Sequence, residues 1–389
     1  MDIVKKPYYN ITRYVIIFTG LSRNYPTWFN FLTKLFIFFV LFSFMGVQIA
    51  GMIKYLSNID LVLVCIPPIC YSSMGTILYI NNNLQVKQIN VVFWKMQNDW
   101  DTITSEKEVN ILHKYARKSR TYTILYTFGF LGMLMLYYSS HGIPMIIHIL
   151  KKSDGPKPLL FLIECGLDLQ ENYGWVIFYS YLTCYVCTYG IVIGGTILGT
   201  FLEHACGIFE IIGYKLTIAI NENPFSSNVV NSQKKFQQEV KLCVEMHRRV
   251  LLFMDDIQAV FSTPYLFVFG LSVILLSITG VQFVMSEKSS GDGIRYGCYA
   301  VFQVVHIFLL TLPTQNLLDN SFLLSSSIYN ADWYHLSSES TKLLLIIMRK
   351  GSEPTTFIVG KIFILSLQFF RRVIQTSMSY FTVLNSVRG

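Results

Sequence analysis

Residues 173–220 read "YGWVIFYSYLTCYVCTYGIVIGGTILGTFLEHACGIFEIIGYKLTIAI". No proline interrupts this run, and Pro224 in "NENPF" closes it. As one helix it would extend roughly 72 Å at about 1.5 Å per residue. The hydrocarbon core of a bilayer is only about 30 Å thick. Glu203, His204, Glu210 and Lys215 begin only after the apolar first half. The stretch therefore predicts a membrane helix that runs on well past the membrane. Its glycines in "GGTILGTF" are the kind that permit close helix packing.

The rest of the chain agrees. Of 389 residues, 52% are hydrophobic and 14% charged, against about 25% charged in soluble domains. Seven spans are expected, at 31–54, 59–82, 121–142, 174–202, 262–285, 296–316 and 356–385. The first 30 residues lack an apolar core followed by a cleavage site, so no cleaved leader is expected and the first span sets the orientation. With the N-terminus in the cytosol, the cytosolic stretches hold 20 Lys and Arg and the external ones 6. The positive-inside rule favours that arrangement and an extracellular C-terminus. The net charge of +8 then lies on the face that meets anionic lipid, and no nucleic-acid partner is implied.

The fold class is thus an all-α membrane protein with seven transmembrane helices and a cytosolic bundle of helical extensions. Its parts are a cytosolic segment 1–30, helices one to four over 31–202, extensions over 203–261, helices five and six over 262–316, an anchor with a short helix over 317–355, and a last span within 356–389. In "KKFQQEVKLCVEMHRRVLLFMDDIQAV" (234–260), Phe236, Val240, Val244, Leu251 and Met254 recur at three, four or seven residues. That predicts an amphipathic helix continuous with the fifth span. Its acidic residues Glu239, Glu245, Asp255 and Asp256 favour packing against other helices over lying on a membrane surface. The sixth span should likewise continue through "TQNLLDNSFLLSSSIYNADWYHL". A short helix over 338–349, with a serine cap and Glu339 in its first turn, should end at "KGSEP".

Chemical motifs are missing. No HExxH spacing, phosphate loop, GxSxG or dinucleotide fingerprint occurs, so no enzyme activity, metal or cofactor is expected. The "CYVC" of Cys184 and Cys187 lies inside a span and reads as two packing thiols. Cys165 and Cys298 are expected on the external side, Cys298 at the outer end of the sixth span, so a disulfide between them stays open although no spacing supports it.

The chain closes on "IQTSMSYFTVLNSVRG" (374–389). At 100° per residue, Arg372, Gln375, Thr376, Ser379, Val383, Ser386 and Val387 fall within about 60° of one line. Phe370, Ile374, Met378 and Phe381 lie opposite. A polar stripe on a spanning helix faces protein or water. Arg371 and Arg372 sit mid-helix, where each would cost about 3 kcal/mol against lipid.

The last 70 or so residues resemble the insect odorant receptors. The matching elements stand in order: "SIYNADWY" (327–334), "LLLIIMRK" (343–350), Pro354, "VGKIFILSLQFF" (359–370) and "TSMSYFTVL" (376–384). The related gustatory receptors carry a Thr-Tyr pair and a later Gln-Phe. Ser379-Tyr380 and Ser386-Val387 stand at those places here and favour the odorant branch. The resemblance implies an odorant-binding subunit of a heteromeric, ligand-gated, non-selective cation channel in the plasma membrane of a sensory dendrite. Its partners would be co-receptor subunits in a heterotetramer, a small volatile ligand and membrane lipid. The final helix would line the pore, with Val383 and Val387 at its narrowest part. The ligand would bind in the outer half, where Tyr71, Met74, Met133, Tyr137, Tyr179 and Phe302 are the candidates. Pro67 and Pro68 should break the second span's hydrogen-bond ladder and open space there. The alternatives are a gustatory-type channel and a G-protein-coupled chemoreceptor. The latter would place its N-terminus outside and carry a basic triplet after span three and an NPxxY-like motif in span seven, none of which is found.

One prediction tests the orientation. Asn10-Ile11-Thr12 is the only N-x-S/T sequon, and glycosylation is luminal. With a cytosolic N-terminus, glycosidase treatment should leave the electrophoretic mobility unchanged. A shift that disappears in Asn10→Gln would place the N-terminus outside.

Overall fold

The computed structural model describes residues 6–18, 26–150, 157, 159–166, 168–222, 229–286 and 290–388. It is almost entirely helical. After a 3-10 turn at Pro7–Tyr9 come α1 (Asn10–Phe18), α2 (Thr27–Lys54), α3 (Ile59–Leu84), α4 (Val86–Thr102) and α5 (Glu106–Leu150). Then follow α6 (Tyr173–Asn221), α7 (Val229–Met285), α8 (Ser290–Tyr329), a 3-10 turn at Trp333–His335, and α9 (Ser338–Gly351). A hairpin of β1 (Ile358–Val359) and β2 (Phe363–Ile364) leads into α10 (Leu367–Arg388). Five helices among the described residues, α2, α3, α6, α7 and α8, are long and apolar enough to cross a membrane. The expected third and seventh spans fall on α5 and α10, which are not in that set.

The 49-residue α6 is the central post of the bundle. It packs against α3, α5, α7 and α8, and every residue from Gly190 to Phe209 is buried. A helix apolar on all sides belongs in such a place. Its glycines decide how closely the neighbours approach. A Cβ on Gly75 of α3 would stand 2.5 Å from the Cys187 carbonyl oxygen, and one on Gly190 would collide with the Gly75 carbonyl. The two backbones therefore touch where α3 crosses α6. Further along, the ring of Tyr122 on α5 fills the space a side chain at Gly199 would need.

Beyond the apolar half, α4, α5, α6, α7, α8 and α9 form the expected bundle of extensions. Ion pairs stitch it: Lys215 to Glu108 at 2.7 Å, Lys114 to Glu210 at 2.7 Å and Lys95 to Asp256 at 2.5 Å. Asp256 also accepts from Gln88 Nε2 at 3.0 Å. His204 lies 3.0 Å from Asp99. On α7 the buried stripe is Phe236, Val240, Cys243, Val250, Met254 and Ile257. Val244, expected in that stripe, is exposed. It lies about 80° round the helix from Phe236, and Cys243 takes the inward place. Burial pushes the Cys243 thiol up to about 12, so it stays a neutral packing group. Ser337 caps α9 as expected, its Oγ accepting from Ser340 N at 3.3 Å.

The last span differs from its expectation. Residues 356–366 are not helical, and α10 begins only at Leu367. Gly360 and Lys361 both adopt positive φ, 60° and 61°, and turn the chain back on itself. The free edge of β1 is satisfied by side chains of α7. Ile358 N donates to Gln258 Oε1 at 2.9 Å, and Gln258 Nε2 donates back to Ile358 O. Ser262 Oγ donates to the same oxygen at 2.7 Å, and Gly360 N donates to Ser262 O at 3.1 Å.

Gly190→Val should break the α3–α6 contact, because only backbone stands in its way and backbone cannot rotate aside. A loss of about 1–3 kcal/mol is expected, read as a lower melting temperature and less monodisperse protein in detergent. Gly129→Ala, whose Cβ meets nothing within 4 Å, should leave both unchanged.

Candidate functional site

On the far side of the α3–α6 crossing from the extensions the helices part around a cavity of about 400 Å³. Five of the six expected residues line it: Tyr71 and Met74 of α3, Met133 and Tyr137 of α5, and Phe302 of α8. Tyr179 does not. Its hydroxyl lies 2.7 Å from Ser43 Oγ, and its ring meets the edge of Phe44, so it stands behind the wall and supports it. From α6 only Cys184 reaches the cavity. The wall also includes groups that aromatic-residue reasoning passed over. These are Gln48 on α2, Thr279 and Gln282 on α7, Gln303 and His306 on α8, and the connection 159–162. The signal for them was present, because single amides and a histidine inside apolar spans are rare and tend to face a cavity or a partner.

Pro67 and Pro68 both line the cavity, yet α3 continues through them as one helix. The expected break is a local loss of ladder bonds rather than an interruption. Proline has no N–H, so Pro67 frees the carbonyl of Leu63 and Pro68 that of Val64. Gln282 reaches across from α7 and donates Nε2 to Leu63 O at 2.8 Å. Most of the remaining wall is aromatic and aliphatic. Phe130 meets Phe302 edge-on at 4.9 Å and His306 at 5.0 Å. His306 Nε2 lies 3.1 Å from the Tyr126 hydroxyl. Tyr71 OH lies 2.7 Å from Thr188 Oγ1. Arg295 lies over the Tyr296 ring at the cavity edge. No Asp or Glu lines the space among the described residues.

A second cavity lies among the extensions, between α5, α6 and α8. Its carboxylate, Glu210, is taken by Lys114 and by the Tyr115 hydroxyl at 2.7 Å.

The other expected site is α10, which packs on α7 and α8. Phe369, Val373 and Ser377 face inward. Ser277 Oγ donates to Ser377 O at 3.0 Å, and Phe381 lies against Gly280. Of the residues expected on the packed face, Phe370, Ile374 and Phe381 are half-buried, whereas Met378 is exposed. The packed line thus follows Phe369, Val373 and Ser377, one residue before the expected Phe370, Ile374 and Met378. Arg372, Gln375, Thr376, Ser379, Val383 and Ser386 are all exposed and point away from the chain's own bundle. The Val387 side chain lies outside the described residues. The start of α10 is held by α8, where Gln315 Oε1 accepts from Leu367 N at 3.2 Å. The helix that lines the cavity with Phe302, Gln303 and His306 is therefore the one that holds the first turn of α10.

The family model described as 7tm odorant receptor matches residues 68–378. Odorant receptor 22c of Drosophila melanogaster is 24% identical over 186 residues, covering 47% of this chain and 46% of that protein. Odorant receptor 13a of the same species is 25% identical over 251 residues, 59% of this chain and 58% of the relative. The odorant receptor coreceptor of Aedes aegypti is 24% identical over 165 residues, covering 42% and 34%. The chain thus spans 34–58% of the length of these curated relatives. Among solved structures, the insect olfactory receptor OR5 of Machilis hrabei in complex with eugenol superposes with a TM-score of 0.82. That match covers 100% of both chains at 12% identity, and at such identity it speaks for the fold.

A double-mutant cycle tests the role of Gln282. Gln282→Leu should strand the Leu63 carbonyl in an apolar setting and cost about 1–3 kcal/mol. Pro67→Ala returns the missing N–H, so in that background Gln282→Leu should be close to neutral. The readout is the thermal midpoint of the four proteins in detergent.

Proposed function

The chain belongs to the odorant receptor family, and from that premise we propose that it is the odorant-binding subunit of a ligand-gated, non-selective cation channel that assembles with the odorant receptor coreceptor. The observation that carries this reading is the outward-facing polar stripe of α10. A helix in lipid has no use for Arg372, Gln375, Thr376 and Ser379 on its outer face. Packed against other subunits around an axis, the same face lines an aqueous path. The arrangement has the N-terminus in the cytosol and the extensions with α9 as the cytosolic anchor. The protein sits in the plasma membrane of a sensory dendrite.

Two further features support the parts of this reading. The cavity is concave, mostly apolar and furnished with a few polar groups, as sites for small organic molecules are. OR5 of Machilis hrabei, similar in fold, is described in complex with one such molecule, eugenol. Arg371 and Arg372 are both exposed near the start of α10. Four identical subunits would put four Arg372 guanidinium groups on a cation path, each with Arg371 beside it, which favours a heteromer with fewer copies of this chain. Ligand in the cavity acts on α10 through α8, whose Gln315 holds the first turn of the pore helix.

The test is whole-cell current in cells that express the chain with and without the coreceptor, normalised to surface protein. Odour-evoked cation current is expected only with the coreceptor. Val383→Ser should raise basal leak or alter the permeability ratio in the heteromer, since a hydrophilic ring eases wetting. Phe381→Ala should act through packing and lower surface expression. Robust current from this chain alone would overturn the heteromeric reading. An altered ratio in Phe381→Ala with none in Val383→Ser would place another face of α10 on the pore.

A further inference from the structure

We infer that Ser352 is a phosphorylation site for a kinase that recognises basic residues, and that the phosphate loosens the seat from which α10 departs. The inference rests on the cytosolic placement of α9 and, for its effect on current, on the channel reading.

The stretch is Arg349-Lys350-Gly351-Ser352. Two cations stand three and two residues before a hydroxyl, a pattern that carboxylates on an enzyme can read. No other adjacent pair of Lys or Arg in the chain has a serine or threonine two places after it. Arg117-Lys118 comes nearest, but the serine that follows it directly, Ser119, is buried on α5. Arg349, Lys350 and Ser352 are all exposed. Lys350 pairs with Glu353 at 2.8 Å, and an exposed ion pair of this kind is easily given up. A kinase takes its substrate in extended form, so the last turn of α9 must open. That turn frays readily. Gly351 is a poor helix former, the helix ends there with Ser352 as its C-cap, and Pro354 follows.

Unmodified, Ser352 closes the helix. Its N donates to Met348 O at 2.8 Å, and its Oγ donates to Arg349 O at 2.8 Å. In the transfer Oγ attacks the γ-phosphorus of ATP, the bond to the ADP oxygen breaks, and the hydroxyl proton passes to the kinase's base. The ester oxygen then has no proton for Arg349 O. The phosphate brings a charge of about −2 to the end of a helix whose carbonyls already form the negative pole of its dipole. Glu353 stands beside it, and Lys350 is drawn from that carboxylate to the phosphate. The last turn of α9 is weakened, and the chain beyond it is seated from that turn. Gly351 is buried against Leu324 and Ser325 of α8. Thr355 N donates to Ser321 Oγ of α8 at 2.9 Å. Ile358 N then enters the clasp with Gln258 that sets the hairpin before α10.

The full chain is incubated with ATP and the catalytic subunit of cyclic-AMP-dependent kinase, once purified in detergent and once in sealed microsomes with their cytosolic face outward. Phosphopeptides are read by mass spectrometry. Ser352 should be labelled in both and Ser119 in neither. Arg349→Gln combined with Lys350→Gln should cut the labelling of Ser352 roughly tenfold, the worth of one charge-assisted hydrogen bond. No label at Ser352 in detergent, or label that the double variant leaves intact, would overturn the site. Label in detergent, but in microsomes only after they are opened, would overturn the cytosolic placement and the regulation with it. The effect on gating is read in cells with the coreceptor. The same catalytic subunit, dialysed from the recording pipette, should lower odour-evoked current about threefold at unchanged surface protein, the scale of one charge at a helix end. Ser352→Ala should remove that fall, which separates this serine from sites on the coreceptor. An equal fall in wild type and Ser352→Ala, or none in either, would overturn the regulation. Labelled Ser352 without odour-evoked current in any form would uphold the site and overturn the channel reading.

Discussion

The contact on which the architecture turns is the one between two stretches of bare backbone. Gly75 of α3 and Gly190 of α6 have no side chains to hold their helices apart, and the main chains touch. On one side of that point α6 is buried all round for twenty residues. On the other side the same helices diverge. Met74, the residue next to Gly75, is already part of the cavity wall. A close approach at one level thus creates an opening at the next, because two straight helices that cross tightly must separate further along. In lipid this matters more than in water. Association there has no hydrophobic drive of its own and depends on packing and interhelical hydrogen bonds.

At three places where the backbone leaves a group without a ladder partner, an amide side chain from another helix takes over. Gln282 does so for Leu63, Gln258 for Ile358, and Gln315 for the first turn of α10. An unsatisfied backbone group in hydrocarbon costs several kcal/mol, so each of these glutamines is bound to its position by the defect it repairs. They tie α7 to α3, α7 to the hairpin, and α8 to α10.

Much of this was legible from sequence. The length of α6, the continuity of α7 and α8 beyond the apolar segments, the Ser337 cap and the polar line on α10 all follow from periodicity and composition within one element. The aromatic and methionine candidates Tyr71, Met74, Met133, Tyr137 and Phe302 line the cavity because bulky residues in the outer halves of spans have few other places to point. The misses share a cause. The hairpin at 358–364 looks like the start of an apolar span, and what makes it extended is Gln258, one hundred residues earlier. Tyr179 has the right residue type but sits on the side of α6 that faces Ser43. Met378 failed because the packed face of α10 is set by where Gly280 and Ser277 of α7 stand, which no pattern within α10 records.

The hairpin has a mechanical meaning. Its edge is clasped to α7 by Gln258 and Ser262, and the first turn of α10 is pinned to α8 within a few residues of that clasp. One end of α10 is therefore a fixed pivot. Midway along α10, Ser277 Oγ donates to Ser377 O at 3.0 Å, and beyond it Phe381 packs against Gly280. A helix of 22 residues is a lever of roughly 33 Å at about 1.5 Å per residue. Turning it by only about 5° about the clasp would carry its free end on the order of 3 Å sideways. Such a displacement is comparable to the width of a water molecule, so in the channel proposed above the far mouth would open while the base stays where it was.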